Sequence, residues 1–528
     1  MIRSILRSCL LAIVLTGPPT AAKALSTEAL LDTLQHTAFD FFWNEVNVSN
    51  GLIKDRNTSG SPCSIASLGF GLSAICIGID HGWVSRDAGR ARILTALQTL
   101  WTAPQSSAAS GTIGYQGLYY HFLDMTTATR TWNSELSTID TALLFAGVID
   151  AKQFFDTAAA GDVQVRELAD SIYQRANWEF MRNFAPSIYM GWKPGTGFSG
   201  FGQWIGYNEA MILFILALGS PTHPVPTSTW TAWTAGYDWD TQYGQTYVTF
   251  PPLFGHQYSH CWIDFYNIRD AYMQNRGITY FENSRRATLA QQAYCIANPL
   301  GRVGYGANVW GITASDAPTG YSAHGAPPPQ NDDGTIAPTA VAGSIPFAPE
   351  IVVPTLHHLY DTYGAQLFST YGFRDAFNLG ANWWDTDTIG IDQGPIIIMI
   401  ENYRTNRVWN RFMQNPDVQR GLQRAGFVVA TDLAAGGGAG EPRFTLSQNR
   451  PNPVRADALV PFRLDAVGRV SMGLYDVAGR RVRRILDGVY APGAHTVPLD
   501  TTGLPNGTYY IRLEVNGERQ AKACLVIR

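Results

Sequence analysis

Charge is scarce in this 528-residue chain. Asp, Glu, Lys and Arg together make up 15% of it, against about 25% in an ordinary soluble domain. With 45% hydrophobic residues, the composition excludes a disordered chain and a coiled coil. The formal net charge is −4, so no basic field exists to hold nucleic acid. The one arginine cluster, Arg480, Arg481, Arg483 and Arg484, reads as a solvated strand face. No apolar run beyond the N-terminal leader is long enough to span a bilayer. Cysteine is sparse too. Behind the leader remain Cys63, Cys76, Cys261, Cys295 and Cys524, an odd number with no C-x-x-C spacing. That argues against a zinc site or a disulfide framework, leaving at most one bridge and otherwise buried thiols. Serine-hydrolase elbow, phosphate-binding loop and dinucleotide fingerprint are all missing. What the chain has in excess is aromatic surface, with 15 Trp and 24 Tyr. Such rings suit flat ligands such as sugars, or they fill a large core.

Arg3 and Arg7, the apolar run Cys9–Leu15 and Ala22-Lys23-Ala24 form the three parts of a secretory leader. Residues 1–24 are therefore expected to be a signal peptide, and the protein to be secreted or held at the cell surface after passing the periplasm. Helical periodicity dominates from 26 to 426. Ser26 can cap a helix whose apolar face is Leu30, Leu31, Leu34, Ala38, Phe41 and Phe42. Further helical segments recur near 65–80, 86–101, 136–155, 163–182, 210–218, 262–274, 284–297, 351–363 and 395–412. Some, such as Ala210–Leu218, are apolar all round and belong inside; amphipathic ones belong outside. Alternating inner and outer helices predict an all-α toroid of helical hairpins over residues 25–432, with Gly/Pro/aromatic loops building a cleft at one end. Residues 301–349 form the longest such loop, a length that is rare unless it shapes a binding site. Residues 433–442, Gly- and Ala-rich, read as a flexible linker. Period-two patterning over 443–528 predicts a small all-β immunoglobulin-like sandwich.

Four segments could carry chemistry. Asp140 falls on the buried stripe of its helix, where a carboxylate must be paired or line a wet cavity; Glu135 sits at the expected helix start. Glu209 stands at the mouth of the all-apolar helix, and Asp392 at the mouth of another, Ile396–Ile400. Helix capping is the structural alternative for both. Two carboxylates at the mouths of inner helices are what glycoside hydrolysis requires, one as acid and one as base or nucleophile. Glu209 is the candidate acid, Asp392 the candidate base because a capping position favours the anion, and Asp140 the reserve. His256, His260 and Asp264 could share a helical face at metal-binding spacing. Hydrogen bonding to substrate hydroxyls is the preferred reading. Asp332-Asp333-Gly334 reads as a turn.

Two resemblances add to this. Gln448–Pro453, Leu474–Arg480 and Leu504–Tyr510 resemble the C-terminal sorting domains of type IX secreted proteins, which implies the type IX machinery as a partner. Ser64–Gly71, Glu135–Asp140, Gly206–Glu209, Leu253–His260, Gly304–Gly311 and Asp392–Pro395 resemble the glucoamylase-like domain of glycoside hydrolase family 144. That resemblance implies a six-hairpin α/α barrel hydrolysing β-1,2-glucan with inversion and without metal or cofactor. Glu135, Tyr207, His256, Tyr258, His260, Tyr305, Asn308 and Trp310 are then the candidate substrate-binding residues. Internal cleavage is the preferred mode. Release of sophorose from chain ends, glycosyl transfer and non-catalytic carbohydrate binding are the alternatives.

Overall fold

Helices with no polar face have no stable place but the interior, and the buried helices follow from that rule. In the computed structural model, which describes residues 25–430, 444–455, 457–464, 468–476, 481–491, 493–515 and 518–527, helices Ile65–Asp80, Thr138–Phe154, Met211–Gly219, Pro338–Ala342 and Gly390–Thr405 are buried almost all round. The expected leader and linker lie outside the described residues. Ile65–Asp80 packs between Thr138–Phe154 and Gly390–Thr405; Thr138–Phe154 in turn meets Met211–Gly219. Gly390–Thr405 meets Pro338–Ala342 and the 3-10 turn Ser259–Cys261. Thr27–Asn44, Arg86–Thr102, Ala160–Gln174, Tyr280–Ala297 and Pro349–Leu367 bury a single face each and pack around these.

Serine caps set the helix starts. Ser26, Ser64, Ser85 and Ser137 each accept from the backbone N–H three residues on, worth about 1 kcal/mol apiece. Buried charges tie these helices together across long sequence distances. Arg411 donates twice to the fully buried Asp150, at 2.6 and 2.9 Å. The Glu401 carboxylate accepts from Gln35 (3.0 Å) and Thr405 (2.7 Å) and meets the His81 ring at 2.7 Å. Against burial, which would raise it, the His81 bond chiefly holds Glu401 down to about 2.

The two innermost helices touch where neither has a side chain. A Cβ on Gly147 would stand 1.9 Å from the Gly69 carbonyl oxygen, and one on Gly69 would stand 2.3 Å from that of Leu143. Backbone cannot yield as a flexible side chain can. Gly147→Ala should therefore destabilise by about 1–3 kcal/mol, the range for overpacking, read as a lower denaturation midpoint with activity retained below it.

Several expected boundaries shift. Leu136 and Ser137 pair with Gly191–Trp192 as a two-residue strand, so the helix begins at Thr138, not Leu136. The 163–182 segment breaks into Ala160–Gln174 and Trp178–Arg182. Of the helix expected over 262–274, only Ala271–Arg276 forms. The last inner helix starts earlier, at Gly390, and ends where Asn406 turns left-handed before Arg407–Phe412. The region from 301 to 349 is not structureless: it holds paired two-residue strands and the Pro338–Ala342 helix. After residue 443 the chain is β-rich. Phe444–Leu446, Asp457–Leu464 and Gly493–Asp500 form one antiparallel sheet; Arg481–Tyr490, Gly468–Tyr475, Gly507–Val515 and Glu518–Val526 form another. These strands have an apolar core of their own.

Candidate active site

Glu209 precedes its helix rather than capping it. Asn208 accepts from Ala210 N–H (3.0 Å) and Ser259 Oγ from Ile212 N–H (3.0 Å), so other side chains satisfy the helix end and leave the Glu209 carboxyl free. That carboxyl is pushed up to about 7: burial dominates, its own N–H opposes, and the charge of Asp140 adds. Asp392 lies in the first turn of Gly390–Thr405, where Ile389 is the N-cap and no side chain bonds the cap. The expected capping anion is corrected here. Asp392 is 2% exposed, and burial pushes it up to about 7 rather than down, with a bond from Asp375 opposing and Asp316 and Asp55 adding.

Asp392 is one member of a carboxylate nest drawn from distant loops. Asp375 and Asp385 are 3% and 6% exposed. Apart from the bond between Asp375 and Asp392, one oxygen of each, and one of Asp392, finds no hydrogen-bond partner among the described residues. Burial and the Asp392 charge raise Asp375 far above the usual carboxylate range. Asp375 is thus the protonated member of the pair, donating to Asp392. Asp385 is pushed up to about 7, by burial first and then by Asp316 and Asp387, against two backbone N–H bonds. Arg56 neutralises part of the nest, donating to Asp316 (2.7 Å), Asp387 (2.9 Å) and Asp55 (3.3 Å). Tyr321, in the turn between the paired strands Ala314–Ser315 and Ser322–Ala323, is 52% exposed as a residue, with its hydroxyl near the nest. Its hydroxyl is raised by burial and by the charges of Asp392, Asp375, Asp55 and Asp316. Tyr258 links the halves of the site: its hydroxyl feels the charges of both Asp392 and Glu209.

On the Glu209 side, Asp140 occupies the third helical position and accepts from Ser137 Oγ at 2.5 Å. His121 Nδ1 lies 2.8 Å from Glu135 and Nε2 3.6 Å from Asp140. Burial pulls the imidazole down, but Asp140 and Glu135 outweigh it and hold His121 up at about 9. Glu135 is therefore not a helix-start charge; it lies before the strand residues, and His121 overcomes burial to hold it below its ordinary value. A histidine raised from 6.5 to about 9 adds stability that is complete below pH 6.5 and lost as pH rises through 9. The melting temperature of His121→Asn should accordingly trail that of the native protein most at pH 6 and least above pH 9, read by calorimetry across that range.

Two sets of ligand-type atoms lie within 4.8 Å among the described residues: His121, Glu135 and Asp140, and Asp316, Asp375 and Asp385. In each a protein cation already holds a carboxylate oxygen: His121 in the first, Arg56 on Asp316 in the second.

The structure brings Glu209, Asp392, Asp140, Glu135 and Tyr258 to one region, and places other candidates elsewhere. His256 and His260 lie in two 3-10 turns, Leu253–His256 and Ser259–Cys261, not on one helical face with Asp264. Both are fully buried, His256 beside the Phe250 carbonyl and His260 beside Ser284. Burial brings each down to about 3, so both imidazoles are neutral, and Nδ1 of each finds no hydrogen-bond partner among the described residues. Trp310 is likewise buried, its indole N–H on Thr355 (2.8 Å). Tyr207 stacks with Tyr280 and Trp233 beside His256. Tyr305 donates to Asp332 (2.8 Å), which also accepts from Tyr294 and Gly334 N–H, so the Asp332–Gly334 segment is a braced turn. Asn308 is exposed in a turn. Sequence reasoning missed His121, Asp55, Arg56, Asp316, Asp375 and Asp385. One signal was available: in a chain so poor in charge, Asp375, Asp385, Asp387 and Asp392 fall in a single short stretch.

Residues 202–416 match the family model described as "Putative glucoamylase". A solved structure named "putative glucoamylase", from Bacteroides uniformis, is 35% identical, with TM-score 0.72 over 77% of this chain and 99% of that one. The endo-β-1,2-glucanase of Chitinophaga pinensis, solved with sophorotriose and glucose, is 29% identical, with TM-score 0.71 over 77% of this chain and 99% of that one. The exo β-1,2-glucooligosaccharide sophorohydrolase of Parabacteroides distasonis is 32% identical over 434 residues, 76% of this chain. The chain spans 58% of the length of that curated relative. The last two relatives are, by their names, enzymes of β-1,2-linked glucose chains. With this identity over nearly the whole of the Bacteroides protein, the chain belongs to the glucoamylase-like family.

Proposed function

We propose that this chain hydrolyses β-1,2-glucan by internal cleavage with inversion, on an (α/α)6 barrel followed by an immunoglobulin-like sandwich. The observation that carries the reading is the pair Glu209 and Asp392, both pushed up to about 7 and both acting on Tyr258. A carboxyl at that value can be a proton donor or acceptor near neutrality. Glu209, with no protonated partner of its own, donates its proton to the glycosidic oxygen as the C–O bond breaks. Asp392, ionised beside the neutral Asp375, takes a proton from the water whose oxygen joins the anomeric carbon. Inversion requires about 6.5–9.5 Å between the two carboxyls, and a relay through a hydroxyl or water would lengthen it. Asp140, His121 and Glu135 bind hydroxyls beside Glu209. The preference for internal cleavage is supported by the C. pinensis endo-enzyme, covered over 99% of its length, where the exo-enzyme is covered over 58%. The six-hairpin barrel rests on the succession of buried and half-buried helices, and the sandwich on two antiparallel sheets around one core.

A product time course on linear β-1,2-glucan tests the reading. Reducing ends should rise while mean chain length falls early, and the α-anomer should appear first by proton NMR. Sophorose alone from the start means exo action; constant reducing ends with altered lengths mean transfer; no change means binding only. The leader and the tail motifs support export and type IX sorting as part of this proposal. A chain truncated after Leu433 should keep full activity in vitro yet fail to reach the cell surface, as judged by fractionation.

A further inference from the structure

The loop that carries Glu135 also spends conformational energy to put an indole in water. Trp132 has φ +54° and Asn133 φ +52°, a left-handed conformation that residues with a Cβ avoid and that a bulky aromatic adopts only under constraint. Trp132 is nevertheless 65% exposed, so burial does not offset that strain. The surrounding turn is braced to hold it. Arg130 donates to Ser134 O (2.6 Å) and to Asn133 Oδ1 (2.7 Å) while its guanidinium sits over the Tyr120 ring. Thr131 N–H bonds Phe122 O and Ser134 N–H bonds Thr131 O. Strain held by such bracing points to function rather than to folding.

The indole is connected to the candidate site by a file of rings. His121, between Glu135 and Asp140, stacks on Phe122 with centroids 4.0 Å apart, and Phe122 meets Trp132 at 5.1 Å and 54°. Trp132 is thus the most exposed of these groups, at the solvent end of the file. We propose that Trp132 is a stacking platform for a glucosyl residue of the substrate lying outside the cleavage point, a binding site that selects longer chains. The apolar face of a pyranose ring covers the exposed indole, while the polar edges of the sugar stay in water. The identity of that ligand rests on the glucan reading above; the platform itself rests on the strained, braced and exposed ring.

Trp132→Gly tests it in the full-length protein, because glycine adopts φ +54° freely and should leave the melting temperature unchanged or higher. Trp132→Phe is the conservative partner. Expected is a roughly two- to tenfold drop in kcat/KM on long β-1,2-glucan for Trp132→Gly, little change on the shortest cleaved oligosaccharide, and substantial recovery in Trp132→Phe. Equal values for native protein and Trp132→Gly on long glucan overturn the proposal, as does an equal loss on short and long substrates. Native protein without turnover defeats the hydrolase reading alone. The platform is then judged by electrophoresis in gels containing β-1,2-glucan: retardation of the native chain lost in Trp132→Gly supports it, and identical mobility of the two overturns it.

Discussion

Glu209→Gln should lower kcat by at least about a hundredfold, the low end for acid–base catalysis, and leave the fold intact. It should also make the protein more stable at alkaline pH. A carboxyl pushed up from 4.5 to about 7 keeps a proton that the unfolded chain releases. Its contribution to stability is complete below pH 4.5 and lost as pH rises through 7. Glutamine carries no such loss, so the variant should melt above the native protein at pH 8 and close to it at pH 4. Native-like turnover in a folded Glu209→Gln protein removes this residue from the mechanism and promotes Asp140, whose charge already acts on Glu209.

Asp392→Asn should be equally damaging, at least about a hundredfold in kcat. The native pH–kcat/KM profile should be a narrow bell around neutrality. Its rising limb follows ionisation of the base, Asp392, and its falling limb ionisation of the acid, Glu209, both near 7. Asp375 sets the first limb. Asn at 375 keeps a donor to Asp392 and should leave that limb in place. Ala removes the donor and should move the limb to higher pH. An Asp392→Asn variant with intact fold and normal turnover would assign the base elsewhere, and the unpartnered oxygen of Asp385 marks it as the next candidate.

The carboxylates of the proposed mechanism were legible because each adjoins a helix too apolar to be anywhere but inside; Glu209 before Met211–Gly219 and Asp392 in the first turn of Gly390–Thr405 follow from that alone. The protonation of Asp392 was not legible. It depends on Asp55, Arg56, Asp316 and Asp375, which loops bring together from some 330 residues apart and which carry no periodic signal. His121 escaped notice for the same reason: nothing near it in sequence announces that Glu135 and Asp140 will close around it. The opposite error arose at His256, His260 and Trp310. Motif density made them look like a binding surface, but two short 3-10 turns bury the imidazoles and Trp310 is buried with its indole N–H on Thr355. Local sequence tells what a side chain can do; which way it faces is a property of the packing.

The Glu401 carboxylate, bonded to Gln35 and His81, has a consequence for the order in which this molecule can assemble. With Arg404 reaching Gln35 (2.6 Å) and Glu28 (3.1 Å) as well, helices Thr27–Asn44 and Gly390–Thr405 meet across more than 360 residues of chain. Contacts of such sequence separation form late, since loop closure must precede any gain from them. During synthesis the Thr27–Asn44 helix can pack early on Ile65–Asp80, but its other main neighbour, Gly390–Thr405, emerges much later, and the part of its buried face that meets that helix stays open until then. Asp392 lies in that same helix, ahead of Glu401. On the proposed mechanism, the carboxylate pair is therefore complete only once the helix that carries both Asp392 and Glu401 has packed in place.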